Sequence, residues 1–135
     1  MTRDLHHMLH PAIAINQGAI TSNTTTVSSV VDMRGYYALE LYILSGSITD
    51  GTYTPLVEHA DSSDFSDGAA VADTMLLGTE LDAVFISTDD HKVKRIGYLG
   101  DKRYVRISLV STGVTSGGTF TVLALRGTAA NQPIA

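Results

Sequence analysis

Strand-length segments that alternate apolar and polar residues, each stopped by a glycine or an aspartate, recur from Thr24 to Arg126. No other property of the chain narrows its fold as much. Successive side chains on a strand point to opposite faces, whereas a helix repeats its apolar residues every three or four positions. Tyr36 to Leu44 is the clearest case, with Leu39, Leu41 and Ile43 on one face and Ala38, Glu40 and Tyr42 on the other. Ser45 to Gly51 is a turn, and Thr52 to Ala60 is a return strand. Pro55 has no N–H for a ladder, which places it at an edge or a bulge.

Thr24–Asp32, Leu81–Ser87, Lys92–Tyr98, Arg103–Ser111 and Thr119–Arg126 read as further strands, and Ala69–Leu77 as one or two helical turns. About seven or eight short strands at regular spacing imply an all-β chain. The expected fold is a β-sandwich, jelly-roll-like among its forms, with an N-terminal arm and one short helical or loop excursion. The divisions are an arm over residues 1–25, a β-sandwich domain over 26–128 and a C-terminal tail over 129–135.

A faint repeat runs through the strands. Tyr37, Gly46, Gly51-Thr-Tyr-Thr54 and Leu56 recur 67 positions later as Tyr104, Gly113, Gly118-Thr-Phe-Thr121 and Leu123. The apolar faces are out of phase, because Leu39, Leu41 and Ile43 then correspond to Arg106, Ser108 and Val110. Duplication and convergent turn chemistry both account for this pattern.

Charge is sorted along the chain. Residues 92–110 carry six of the nine Lys and Arg, while Asp61 to Asp90 carries eight carboxylates and no Lys or Arg. The net charge of −5 argues against a general nucleic-acid binder, which needs a basic face for phosphate. No direct nucleic-acid partner is expected. No membrane partner is expected either, since no apolar run approaches the roughly 20 residues of a membrane span. Only Arg3 precedes scattered apolar residues at the start, so no secretory signal is expected. There is no Cys, which removes disulfides and thiolate metal sites.

Motifs for chemistry are missing. No serine has a nucleophile-elbow context, no glycine run has phosphate-loop spacing, and Asp89-Asp90 would point apart on a turn. His6 and His10 would share a helical face, yet Pro11 ends that helix and no further ligand lies at a recognisable spacing. Asp61, Asp64, Asp67 and Asp73 are oxygen donors of the kind calcium prefers, but the spacing Asp61-x-x-Asp64-x-x-Asp67-Gly68 is not the alternating pattern of an EF-hand loop. No enzyme activity, cofactor or metal is expected. The residues marked for an interface are Lys92, Lys94, Arg103 and Arg106, with Asp61, Asp64 and Asp67 on the acidic side. The alternative is internal: those cations balance nearby carboxylates on a solvated face.

Several segments carry a resemblance. Asp32-Met-Arg-Gly-Tyr36, Ala69-Ala-Val-Ala-Asp73, Leu77-Gly-Thr-Glu80, Asp89-Asp90 and Arg95-Ile-Gly-Tyr-Leu-Gly-Asp-Lys-Arg-Tyr-Val-Arg106 are similar to a family of small structural proteins encoded among the head genes of tailed bacteriophages. The resemblance runs from about Val27 to Gly127 and is most specific over Arg95–Arg106. It implies a capsid decoration, or cement, protein on the capsid surface of a virion, made in the host cytoplasm. It also implies the major capsid protein as partner and a homo-oligomeric state. Rival assignments are a tail or head–tail-joining component and, from a different class, a calcium- or glycan-binding β module.

Overall fold

The alternating segments close into two antiparallel sheets in the computed structural model, which describes residues 5–129. Among the described residues the strands are β1 (Leu9–Ile20), β2 (Thr25–Val27), β3 (Val31–Asp32), β4 (Tyr36–Ile48), β5 (Thr52–Ala60), β6 (Ala69–Ala70), β7 (Leu76–Leu77), β8 (Val93–Tyr98), β9 (Tyr104–Thr112) and β10 (Gly118–Ala129). Sheet A has the order β1-β10-β4-β8-β7, and sheet B the order β2-β9-β5-β6, with β3 also on β9. Without the two-residue β3 and β7, eight strands fill the two sheets in the interleaved order of a jelly roll. The all-β sandwich read from the alternation is the observed fold.

The core lies between the sheets. Leu39, Leu41 and Ile43 from β4 face Val105, Ile107 and Leu109 from β9, all almost wholly buried. Tyr53, Phe85 and Phe120 form its aromatic centre, with ring centroids 4.5 Å (Tyr53–Phe120) and 5.4 Å (Phe85–Phe120) apart.

The repeat is physical, and its phase error has a cause. β4 pairs β10 at Ile48↔Gly118 and next at Ser45↔Phe120, so Gly46 and Ser47 stand opposite Thr119 alone. That bulge lies in β4. The phase error comes from the second connection, Ser111 to Gly118, which is one residue longer than the first, Ser45 to Gly51. Before it the offset is 66, and Leu39, Leu41 and Ile43 match Val105, Ile107 and Leu109. Each half is an arch that leaves one sheet and enters the other, where a hairpin was expected. Ser45 and Ser111 become equivalents and do the same work. Ser45 N–H donates to Lys92 O at 2.9 Å, and Lys92 N–H donates to Ser45 Oγ at 2.9 Å. Ser111 N–H donates to Thr24 O at 2.8 Å, and Thr24 N–H donates to Ser111 Oγ at 3.0 Å. Each buried serine thereby fixes the start of the neighbouring strand, β8 or β2.

Four expectations need correction. Most of the segment taken as an arm is a strand, since Leu9–Ile20 pairs β10 from Leu9↔Gly127 to Ile20↔Gly118. Register shifts after Ile13 and Ile15 disrupt its alternation, and Pro11 is tolerated because β1 is an edge strand. The single strand expected over Thr24–Asp32 splits into β2 and β3, because the Ser28 hydroxyl inserts and accepts Ile107 N–H at 2.9 Å. The helical turns expected over Ala69–Leu77 are β6, a 3-10 turn at Asp73–Met75 and β7; Val71 N–H bonding to Val57 O draws that segment onto β5. Leu81–Ser87 is a turn with only an isolated bridge at Phe85, followed by a 3-10 turn at Ser87–Asp89. Beyond Ala129, the expected tail lies outside the described residues.

Pro55 sits where the edge of β5 is open. The rest of that edge is closed piecewise: Tyr53 and Phe85 exchange backbone hydrogen bonds at 2.9 Å, Glu80 accepts Val57 N–H at 2.6 Å, and β6 covers Glu58 and His59. A proline at the remaining gap leaves no donor to satisfy.

Candidate interaction surface

Folding pairs the charges that the sequence separates. Lys92 and Lys94 both reach Asp89, at 3.2 and 3.4 Å. The Asp89 carboxyl is held below its usual range by the Ile86 N–H and then by these two lysines. Arg103 makes two 3.0 Å bonds to Asp32, which lower the Asp32 pKa. Arg106 lies 3.1 Å from Glu58 and stacks 4.3 Å from the Phe65 ring centroid. Lys102 meets Asp61 at 2.8 Å, and Arg95 approaches Glu40 at 4.0 Å. Five of the six cations of the basic segment thus have a close carboxylate partner inside the chain, and Arg95 only a distant one.

The acidic loop is likewise turned inward. Asp67 accepts the Asp61 and Ser62 amides at 3.0 and 3.1 Å, and Asp64 accepts the Ser66 amide at 3.0 Å. These amides lower the pKa of both carboxyls. Asp64 and Asp67 therefore brace their own loop, while the Asp61 carboxylate holds Lys102. Among the described residues, no group of three or more His, Asp or Glu is placed to hold a metal ion. His10 lies against Tyr36, with 5.8 Å between ring centroids. Of the two readings of the charged blocks, this geometry favours internal balance.

The outer face of sheet A presents a different surface. Strand register sets its side chains in rows. Leu9, Gly127 and Ala38 form one row; Pro11, Leu125, Glu40, Gly97 and Leu77 the next; then Ile13, Leu123, Tyr42 and Arg95; then Thr121, Leu44 and Val93. Most of these residues are apolar, and Ile13, Leu77 and Val93 are 60%, 55% and 59% exposed. At one end the rows fall into a groove of about 350 Å³ lined by Leu5, Met8, Leu9, Tyr37, Glu40, Leu77, Leu99 and Leu125. Gly97 shapes its floor, because a Cβ there would lie 2.6 Å from Glu40 Oε2 and 2.9 Å from Leu77 Cβ. Burial raises the Glu40 pKa, with Arg95 opposing.

The outer face of sheet B differs in kind. Its rows hold Thr25, Val110 and Thr54; Val27, Ser108 and Leu56; and the ion-paired Arg106 and Glu58. Ser108 is buried between its neighbours on that face. The contiguous apolar outer face is thus a property of sheet A and not of sheet B.

Reading the charge blocks missed this face, although a signal was present. An antiparallel strand with one wet face should alternate, whereas Ala38, Tyr42 and Leu44, and Leu123 and Leu125, are apolar on the side away from the core. Near-continuous apolar runs mean cover on both faces.

No family model matches the chain, and no curated protein matches it. Among solved structures, the chain is similar to a protein of the Bacillus endospore appendages, a family of disulfide-linked pili. The TM-score is 0.46 at 9% identity, over 89% of this chain and 88% of that one. It is also similar to YomS, a protein derived from the SPBc2 prophage, with a TM-score of 0.42 at 12% identity, over 87% of this chain and 94% of that one.

Proposed function

We propose that this chain is a non-enzymatic structural protein of a virion, one that decorates a phage capsid and stabilises it by bridging capsid subunits. The observation that carries the reading is the contiguous apolar outer face of sheet A. Water does not satisfy such a face, and a protein subunit does. The segments similar to phage head proteins, densest over Arg95–Arg106, direct the reading towards a capsid.

The polar groups support a role without chemistry. Glu80 is engaged by the Val57 amide, and Asp50 by the amides of Thr115, Ser116 and Gly117 at 2.9–3.1 Å. Both brace backbone. A protein that binds the assembled shell and not the free subunit stabilises the shell by mass action, and repetition over the lattice multiplies a modest contact.

Reconstruction of the virion tests the assignment. Density for this sandwich on the head lattice, bridging neighbouring capsid subunits, is the expected result. Density confined to the tail would reassign the chain to a tail role, and absence from the particle would refute a virion role altogether.

A further inference from the structure

We propose that the outer face of sheet A pairs with the same face of a second copy about a twofold axis, with Arg95 of each copy set against Glu40 of the other. The inference rests on reading this face as a contact surface and names its occupant.

The charges identify that occupant. Amid the apolar rows, and among the described residues, the face carries one cation and one anion, on adjacent strands and diagonal to each other: Arg95 lies beside Tyr42, and Glu40 beside Gly97. A twofold axis lying in the plane between the two faces, perpendicular to the line from Arg95 to Glu40 and crossing its midpoint, lays each Arg95 over the opposing Glu40. Such a pattern is complementary to itself, as an isologous interface requires. A different partner would have to supply an apolar face with both charges in mirrored positions.

Within one copy this pair is poorly made. At 4.0 Å it is the longest cation–carboxylate contact among the described residues, the others lying between 2.8 and 3.4 Å. The Arg95 side chain is 70% exposed while that of Glu40 is 27% exposed, so the carboxylate gives up water without gaining a close cation. Burial raises its pKa accordingly. A second copy supplies the missing cation and covers Tyr42, Leu123 and Leu125 in the same step.

The area is adequate. Five strands at ~4.8 Å spacing, spanned by about six to eight residues at ~3.4 Å each, give a flat face on the order of 500 Å². Protruding side chains and the groove rim raise this towards the roughly 800 Å² per partner of a standard interface.

Analytical ultracentrifugation of the full chain at high micromolar concentration tests the proposal, with circular dichroism confirming that each variant is folded. The wild type should sediment at twice the 14.4 kDa chain mass. Glu40→Arg and Arg95→Glu should each weaken the dimer at least tenfold, through like charges facing across the axis. Mixing the two variants should restore it, because only pairing between copies sets the reversed charge at position 40 of one against the reversed charge at position 95 of the other. Leu77→Glu and Val93→Glu, at positions more than half exposed, should also give folded monomers, and they decide the matter if the charge variants do not fold. A monomeric wild type, a mixture no tighter than either variant alone, or a dimer indifferent to Leu77→Glu and Val93→Glu would each overturn the proposal. A monomer in solution that still decorates heads would leave the capsid role standing without this dimer. A dimer missing from virions would do the reverse.

Discussion

Replacing Ser45 or Ser111 by alanine removes one oxygen from the sandwich and opens a strand start. The Ser111 hydroxyl donates towards Ser22 O at 2.8 Å and Thr24 O at 2.9 Å, and accepts Thr24 N–H at 3.0 Å. The Ser45 hydroxyl donates to Asp89 O at 2.6 Å and accepts Lys92 N–H at 2.9 Å. Both residues are buried, Ser111 at 2% and Ser45 at 9% exposure, so water does not readily replace the lost partner. An unsatisfied buried amide costs about 1–3 kcal/mol. The gain in apolar surface is one small methyl, too little to offset it. At this length a loss of 1 kcal/mol lowers Tm by roughly 4 °C, which gives an expected fall of roughly 4–12 °C for either variant. Urea unfolding should show a lower midpoint with an unchanged slope, and amide exchange should quicken at Lys92 in Ser45→Ala and at Thr24 in Ser111→Ala. Exposed Ser47 is the control, expected within about 0.5 kcal/mol of wild type on substitution by alanine. Losses below about 0.5 kcal/mol for both buried serines, with exchange unchanged, would refute their role as strand anchors.

Phe85→Ala should cost about 3–5 kcal/mol and expose residues 61–90 to limited proteolysis, since this ring is what ties the excursion to Phe120 and Tyr53; a melt indistinguishable from wild type would count against that. Stability should rise modestly as pH falls from neutral towards the ordinary glutamate value of 4.5, because burial raises the folded pKa of both Glu40 and Glu80 and their protonation favours the folded state. It should then fall as pH drops below the ordinary aspartate value of 3.8, where Asp32 and Asp89, with lowered folded pKa values, lose their partners. Chemical denaturation across that range should show the upper limb flattened in Glu40→Gln/Glu80→Gln and unchanged in Asp89→Asn. Arg103→Glu should destabilise the fold by about 0–1 kcal/mol, as for an exposed pair, and Arg106→Glu by more, because its pair with Glu58 is largely buried, neither altering association measured by sedimentation. Millimolar calcium should leave the melting curve in place, because Asp64 and Asp67 are already committed to loop amides; a stabilising shift of several degrees would show that the loop opens to take the ion.

The fold class was legible because alternation is local: a residue's parity along a strand decides whether it faces the core. That parity puts Leu39, Leu41 and Ile43 on one face, as it does Val105, Ile107 and Leu109, and the two sheets bury both sets. Parity failed where a side chain intervenes in the ladder. Ser28 divides β2 from β3, and the one extra residue between Ser111 and Gly118, relative to Ser45 and Gly51, hid the equivalence of the two halves by changing the offset between them. The excursion over residues 61–90 was misread for another reason. Its short strands exist only because β5 and β8 offer open edges, and no local propensity encodes a distant edge.

The basic and acidic blocks show the same division. Their composition was plain in the sequence, but whether the cations face a neighbour or carboxylates of their own chain depended on bringing Lys102 to Asp61, Arg103 to Asp32 and Arg106 to Glu58. By itself, the sequence determined an all-β chain with a known set of core positions, since strand periodicity is written in consecutive residues. Only the tertiary structure decided that its charges are spent internally and that the outer face of sheet A is the apolar one. A sheet face is assembled from strands far apart in the chain, and its chemistry exists only once β1, β10, β4, β8 and β7 lie side by side.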